Sequence, residues 1–459
     1  MSSTRPPELL PTGHARKPKK SLPIAVALLI VSLVIPLTFY VGPLRLSVYR
    51  IVLILLIIPS LARLLSGKAG PFRLIDAGVF LMCVWSGLSF SAIYGVADSI
   101  EKTGIFTIET FGAYLVSRTY IRTPEQFRAM VKLFIIIALA ISPLALYETA
   151  TSNNITLKLF DAVGTTYPDV YKDLRWGFDR VQGPFEHPIL FGVFFGAALG
   201  LSFFVLGYGQ PLIKKSAIGT MVFFVGALSL SSGPLTSQVG QIFFITWQTI
   251  FSKFKNRWYI FIALTVLAYV AIDALSNRTP FEVFVSYFAF NSGTAYNRLL
   301  IWQYGVKSIF DNPIFGVGLE EWDRAWFMPS SADMFWIVPA MRHGVLVWAL
   351  HLGTFIYAFY SISKKTGISD RVNQYRFGYL SSMFGTFVAG WTVHYWNATY
   401  VLYWLLLASG LWILDQNNGK NNEELTEDSK RSKSNPIQSP TYTRFPRQDG
   451  HRVEARIST

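Results

Sequence analysis

The sequence is short of charge, of acidic residues in particular, and of cysteine. Only 15% of its 459 residues are Asp, Glu, Lys or Arg, and 51% are hydrophobic. Soluble domains are about a quarter charged, so a water-soluble globule is excluded, as are a disordered chain, collagen and a coiled coil. A single cysteine, Cys83, lies in an apolar run and rules out a disulfide framework and any multi-cysteine metal site. No P-loop, no zinc-ligand spacing and no GxGxxG after a strand occurs, so no metal and no cofactor is expected. Acid is scarcer than base, 27 residues against 41, for a net charge of +14. In so apolar a chain this excess belongs to loops facing an anionic leaflet, not to nucleic-acid binding.

What is present is a series of apolar runs of membrane-spanning length. They fall at 21–40, 46–63, 74–93, 103–120, 129–148, 188–207, 216–231, 237–251, 258–275, 338–361, 376–393 and 397–414, which makes twelve. The first is too long for a signal peptide and no A-x-A site follows it, so it reads as a retained signal anchor. With the N-terminus in the cytoplasm and strict alternation, the inner segments carry 20 Lys and Arg and the longer outer segments carry 10. That asymmetry favours twelve spans with both termini cytoplasmic. Three parts follow: a basic cytoplasmic tail at 1–21, a transmembrane domain at 22–414, and a tail at 415–459. The last is rich in Asn, Ser, Lys, Glu and Pro and is expected to be disordered and cytoplasmic.

Two outer loops are long, 149–187 and 275–338, and long loops in compact proteins are usually functional. In the second, residues 281–290 are aromatic and too short to span, which fits an interfacial segment. Residues 294–310 place Leu299, Trp302, Val306 and Ile309 at helical spacing and predict an amphipathic helix. Asp311-Asn312-Pro313 ends it, and Gly316 and Gly318 permit a tight turn.

The candidate chemistry sits in these loops. Arg175, Arg180, Arg298 and Arg324, with Arg342 at the mouth of the tenth span, form a cationic set. A guanidinium is a rigid fork suited to phosphate oxygens; the alternative for each is pairing with a loop carboxylate such as Asp179 or Glu320, or with lipid headgroups. Before the sixth span, Gln182, Glu186 and His187 crowd the outer surface; one of them serves as a general base or the stretch caps the helix begun by Pro188. Asp333 caps the helix that follows or positions an acceptor hydroxyl. His187 and His343 have no companions at metal spacing. Glu109 lies deep in the fourth run, where a carboxylate needs a partner or a cavity. Ser229–Thr236 (SLSSGPLT) forms a polar break between the seventh and eighth runs.

Three stretches carry a family resemblance: Arg180–Gly192 (RVQGPFEHPILFG), Arg298–Gly318 (RLLIWQYGVKSIFDNPIFGVG) and Asp333–Gly344 (DMFWIVPAMRHG). With the twelve-span layout and the large late outer loop, the chain resembles the bacterial O-antigen ligase and Wzy-type polysaccharide polymerase superfamily. The resemblance implies an all-α polytopic integral membrane protein of about twelve transmembrane helices, GT-C-like, with its large periplasmic loop between helices 9 and 10. It implies metal-independent, inverting glycosyl transfer from an undecaprenyl-pyrophosphate-linked oligosaccharide at the outer face of the inner membrane. A flippase and a chain-length regulator would be partners. Arg180 and Arg298 would neutralise the pyrophosphate leaving group, with Glu186, His187 and Asp333 as the other catalytic candidates. Arg175, Gln182, Trp302, Arg324, Arg342 and His343 would bind substrate. Ligases carry a His before the tenth span where this chain has Asp333, which is more similar to the exopolysaccharide polymerases. The family's Ser-Arg before the eighth span is Ser237-Gln238 here. Ligation to lipid A core and a polysaccharide transporter or flippase are the competing functions; a transporter would favour inverted repeats and mid-membrane charge pairs.

Overall fold

In the computed structural model, residues 21–42, 44–288 and 292–416 are described, so the two expected tails lie almost wholly outside the described residues. The chain is mostly helical, and a helix lies on each of the twelve apolar runs. In order these are α1 (Ile24–Ser32), α2 (Val48–Leu65), α3 (Leu74–Tyr94), α4 (Val96–Thr107) continuing into α5 (Ala113–Tyr120), α6 (Pro124–Thr151), then after the short α7 (Ile155–Asp161), α8 (Pro188–Leu201), α9 (Leu212–Ala227), α10 (Ser232–Ile250) and α11 (Arg257–Leu275). Helices α12 (Pro280–Phe288), α13 (Ser292–Asp311) and α14 (Val338–His343) follow in the late loop region, and α15 (Val345–Lys364), α16 (Asp370–Gly390) and α17 (Ala398–Ser409) close the bundle.

Seven of these stretches are long and apolar enough to cross a membrane: α2, α3, α6, α8 with its extension to Leu206, α11, α15, and α17 with its extension to Asp415. The others fall short for local reasons. The first run breaks at Ser32, because Pro36 and the residue before it disfavour helix. It goes on into a β-hairpin, β1 (Thr38–Val41) antiparallel to β2 (Leu44–Ser47), with Thr38 opposite Ser47. Thr, Phe, Tyr and Val suit a strand. Between α4 and α5 the helix widens into a π turn at Ile108–Gly112. Helix α16 carries Asp370, Arg371 and Arg376 in its first two turns.

Burial sorts the helices. The apolar windows of α8 and α17 are 83% buried and form the centre, whereas α11 has no buried residue. A helix this apolar with no residue buried against protein has a bilayer as its natural solvent. Inside the bundle, α8 packs on α10, α16 and α9, α3 on α15, and α17 on α5. Arg118 and Asp76 form a fully buried ion pair at 3.0 Å, with Tyr114 also donating to Asp76.

Helix α13 forms as expected and ends at Asp311, but its buried face is one residue out of register with the predicted one. Arg298, Ile301, Gly305 and Ser308 face inward, while Trp302 is 38% exposed. The turn that follows is stitched to α14: Val317 N donates to Met341 O at 2.8 Å, Gly318 N to Arg342 O at 3.0 Å, and Val345 N to Pro313 O at 2.8 Å. Gly344, at φ +85°, separates α14 from α15 where a Cβ would run into the Ile314 carbonyl.

Candidate functional site

The loop before α8 is anchored from α6. Glu148 accepts the backbone N–H groups of Gln182 at 2.8 Å and Gly183 at 2.9 Å and pairs with Lys172 at 2.8 Å. Gly183 takes φ +57° with the Phe191 ring packed where a side chain would be. His187 then caps α8, its Nδ1 accepting from Ile189 N at 3.1 Å, and Pro188 fills the first helical position. This fixed entry aims Arg180 at the polar break before α10.

Three arginines converge on that break. Arg180 donates to Ser231 Oγ at 2.8 Å and Ser229 O at 3.3 Å, Arg175 to Leu230 O at 2.6 Å, and Arg298 to Ser232 Oγ at 3.1 Å. With Asp333 and Asn297 they line a small cavity of about 50 Å³. Of these five, Arg175, Arg180, Arg298 and Asp333 were candidates in the sequence, and they share one site from three distant parts of the chain. Arg180 is 8% exposed and Arg298 7%, and among the described residues neither makes an ion pair with a carboxylate. Burial, and then the neighbouring Arg175, pulls the Arg180 guanidinium down to about 10. Burial pulls Arg298 to about 10 as well, against the opposing field of Asp333. Both remain cations at neutral pH. Burial raises the Asp333 carboxyl, while Arg298 and a hydrogen bond with Ser331 hold it back. Burial and the fields of Arg180, Arg175 and Lys172 drop His187 to about 4, so its ring is neutral. With Nδ1 accepting, the neutral ring carries its proton on Nε2 and can donate but not accept there.

Glu186 turns away from this cluster. It meets Arg45 at 3.2 Å, hydrogen-bonds Asn397 and Trp396, and through Asn397 reaches Arg50, whose Nη2 donates to Asn397 Oδ1 at 3.2 Å. Arg50 also pairs with Glu109 at 2.8 Å, which accepts from Tyr49 OH at 3.1 Å. The deep carboxylate therefore has its partners, and the π turn at Ile108–Gly112 carries it. This network borders a second cavity of about 430 Å³, lined in part by Arg342 and His343. Thr392 and Val393 line the small cavity and His394–Asn397 the large one, while Phe335 N donates to Val393 O at 3.0 Å. The two cavities are thus neighbours across one strip of chain.

The remaining candidates lie outside both. Gln182 is fully buried and holds the loop, donating to Pro168 O at 3.0 Å and accepting from Val170 N at 3.2 Å. Arg324 pairs with Glu321 at 2.7 Å and donates to Met328 O at 2.9 Å. The Trp302 ring lies 6.2 Å from that of Trp391. Arg45, Arg50, Asn397, His351 and His394 were not visible as site residues in the sequence. The signal was there in the segment His394-Tyr395-Trp396-Asn397, polar groups set among aromatics in a very short connection. Among the described residues no group of three His, Cys, Asp or Glu side chains is placed to hold a metal ion. Compared with known proteins, the chain matches no family model, and no curated protein matches it.

Proposed function

We propose that this protein is a polysaccharide polymerase of the bacterial inner membrane, with about twelve spans and both termini cytoplasmic. It joins undecaprenyl-pyrophosphate-linked repeat units at the outer face for exopolysaccharide or O-antigen synthesis. The observation that carries this reading is a pair of buried guanidiniums, Arg180 and Arg298, lining one cavity beside Arg175 without a carboxylate ion pair among the described residues. A buried cation without a counter-ion is costly, and a pyrophosphate supplies the missing charge in a geometry that a guanidinium fork matches.

In this reading an acceptor hydroxyl attacks the anomeric carbon. The new C–O bond forms as the bond from that carbon to the pyrophosphate oxygen breaks, with inversion. The transition state is oxocarbenium-like, and negative charge builds on the leaving pyrophosphate between Arg180 and Arg298. Pre-placed donors of this kind contribute about 2.7–4 kcal/mol each. Asp333 is the carboxylate lining the cavity and takes the hydroxyl proton; His187, neutral with Nδ1 engaged, does not. The pyrophosphate ester supplies the driving force, so no nucleotide is consumed.

The test is the size profile of lipid-linked and released saccharide in a deletion strain carrying the wild-type gene or Arg298→Ala. Single repeat units accumulating in the deletion and the mutant support polymerisation. Full-length polymer stranded on the carrier points to ligation, and an unchanged profile removes glycosyl transfer and leaves transport.

A further inference from the structure

No acidic residue occurs between Glu186 and Asp273, a stretch that runs from the start of α8 into α11. Its Lys and Arg residues are Lys214 and Lys215 in the first turn of α9, and Lys253, Lys255 and Arg257 between the end of α10 and the start of α11. The connection between α9 and α10 is short, and Leu212 lines one cavity with Ile250, so the start of α9 and the end of α10 meet at one end of the pair. All these cations therefore gather at that end, and among the described residues none makes an ion pair with a carboxylate. Arg257 folds onto the end of α10, donating to Gln248 Oε1 at 3.0 Å and to the carbonyls of Ser252 and Phe254.

Between the two helices runs a groove of about 320 Å³. Leu199 and Phe203, of α8 and its extension, form its floor; Leu212 and Phe223 of α9 and Ile242 and Ile250 of α10 form its walls. No charged residue lines it, and Thr249 on its wall turns its hydroxyl back to Ile245 O at 2.7 Å. Leu212 and Ile250 are 60% and 65% exposed, so the groove is open along its side. From Leu212 to Phe223 the helix rises about 16 Å at about 1.5 Å per residue. Half of a hydrocarbon core of about 30 Å is about 15 Å, so the groove is one leaflet deep. Helices α8 and α11, before and after the pair in the chain, are apolar enough to cross a membrane, which places acyl chains along the groove.

We propose that this groove holds one acyl chain of an anionic phospholipid, with its phosphate among Lys214, Lys215, Lys253 and Lys255. An apolar slot alone accepts any lipid. The charge at its mouth selects: a cluster of cations without a carboxylate attracts a negative headgroup, and basic pockets between membrane helices hold such lipids. On the topology proposed above this end faces the cytoplasm, at the far end of α8 from Arg180. The site binds neither substrate of the polymerase reading and does not rest on it. Gly219, on the groove wall, offers a way to close it. A Cβ there would meet the side chains of Leu199 and Phe203 at 3.8 and 4.0 Å, ordinary contact, so a larger side chain enters the groove without moving backbone.

The full-length chain, purified in a neutral detergent, is titrated with phosphatidylglycerol, with phosphatidylcholine of the same chains, and with glycerol phosphate as the headgroup alone. Native mass spectrometry counts bound lipid and reads the oligomeric state. The expected result is one tightly held phosphatidylglycerol per chain, bound at least tenfold tighter than phosphatidylcholine. Gly219→Leu and the double variant Lys253→Gln/Lys255→Gln each weaken it at least tenfold, whereas Lys68→Gln, an exposed cation on another connection, and Arg298→Ala leave it unchanged. Phosphatidylglycerol raises the melting midpoint of the wild type and not that of Gly219→Leu. Each variant is checked for an unchanged melting transition without lipid, and Thr246→Leu on the facing wall replaces Gly219→Leu if that variant fails to fold. The proposal is overturned if the two phospholipids bind alike, if the filled groove binds as the wild type does, or if Lys68→Gln weakens binding as much as the lysine pair. Displacement of the lipid by an equal concentration of glycerol phosphate overturns it too, because the site then reads a free phosphate. So does a dimer that forms in place of the lipid complex, because the groove is then a contact between copies of the chain.

Discussion

Arg118, at the end of α5, directs its guanidinium at Asp76 and at the carbonyls of Ala69 and Pro71, and is 1% exposed. Arg298, in α13, is 7% exposed, donates to Ser232, and among the described residues has no carboxylate in ion-pair range. The residue type and the burial are alike; the compensation is not. A buried charge neutralised within the chain is part of the scaffold, whereas one left with hydroxyls and carbonyls retains the capacity to bind an anion. The comparison extends to Arg180, which resembles Arg298, and to Arg73 and Arg122, which share Asp415 and resemble Arg118.

This contrast is sharpest in stability. Arg118→Ala leaves Asp76 charged and buried, and removing one partner of a buried pair costs about 3–5 kcal/mol. A large fall in the thermal or denaturant midpoint is expected, with most of it recovered in the double variant Arg118→Met/Asp76→Leu. Arg298→Ala is next and acts on another axis. Turnover of lipid-linked saccharide is expected to drop by about 100–1,000-fold, corresponding to about 2.7–4 kcal/mol, while the melting midpoint stays level or rises because an uncompensated cation has gone. A midpoint that falls as far as in Arg118→Ala would erase the distinction. The smallest effect concerns His187, which burial, and then the arginine cluster, holds near 4 against an ordinary 6.5. As pH falls from about 6.5 to about 4 the unfolded chain binds the proton first, so stability declines through that window and is insensitive to this group above it. His187→Asn keeps a capping side chain and is expected to flatten the slope in a pH series of melting curves. It does not abolish it, because His343 shifts the same way to about 3.

The sequence was most readable where chemistry and spacing coincide. Arg175, Arg180, Arg298 and Asp333 were candidates from type and loop position alone, and the cavity unites them because Glu148, the 229–232 break and the 313–318 turn hold their loops in place. The apolar runs located a helix each, since hydropathy is a local property. What failed was what depends on partners. The 21–40 run reads as uniformly apolar, yet Pro36 and the strand-forming Thr38–Val41 end α1 after Ser32. The buried face of α13 is set by α14 and the strip near Trp391, not by its own periodicity, so Ile301 and Gly305 were missed in favour of Trp302. Asn397, His351 and His394 escaped notice because nothing local says that residues 109, 343, 351, 394 and 397 will surround one space.

On the proposed reading the Arg180–Arg298 cavity is an anion site rather than a structural feature. Titration of the purified chain with farnesyl pyrophosphate, a soluble stand-in for the lipid carrier, tests it most directly. Binding that inorganic pyrophosphate displaces is expected, weakened at least tenfold by Arg298→Ala and by Arg180→Ala, and untouched by Arg342→Ala in the larger cavity. Binding that is indifferent to Arg180 and Arg298, or that is lost with Arg342 instead, would contradict it.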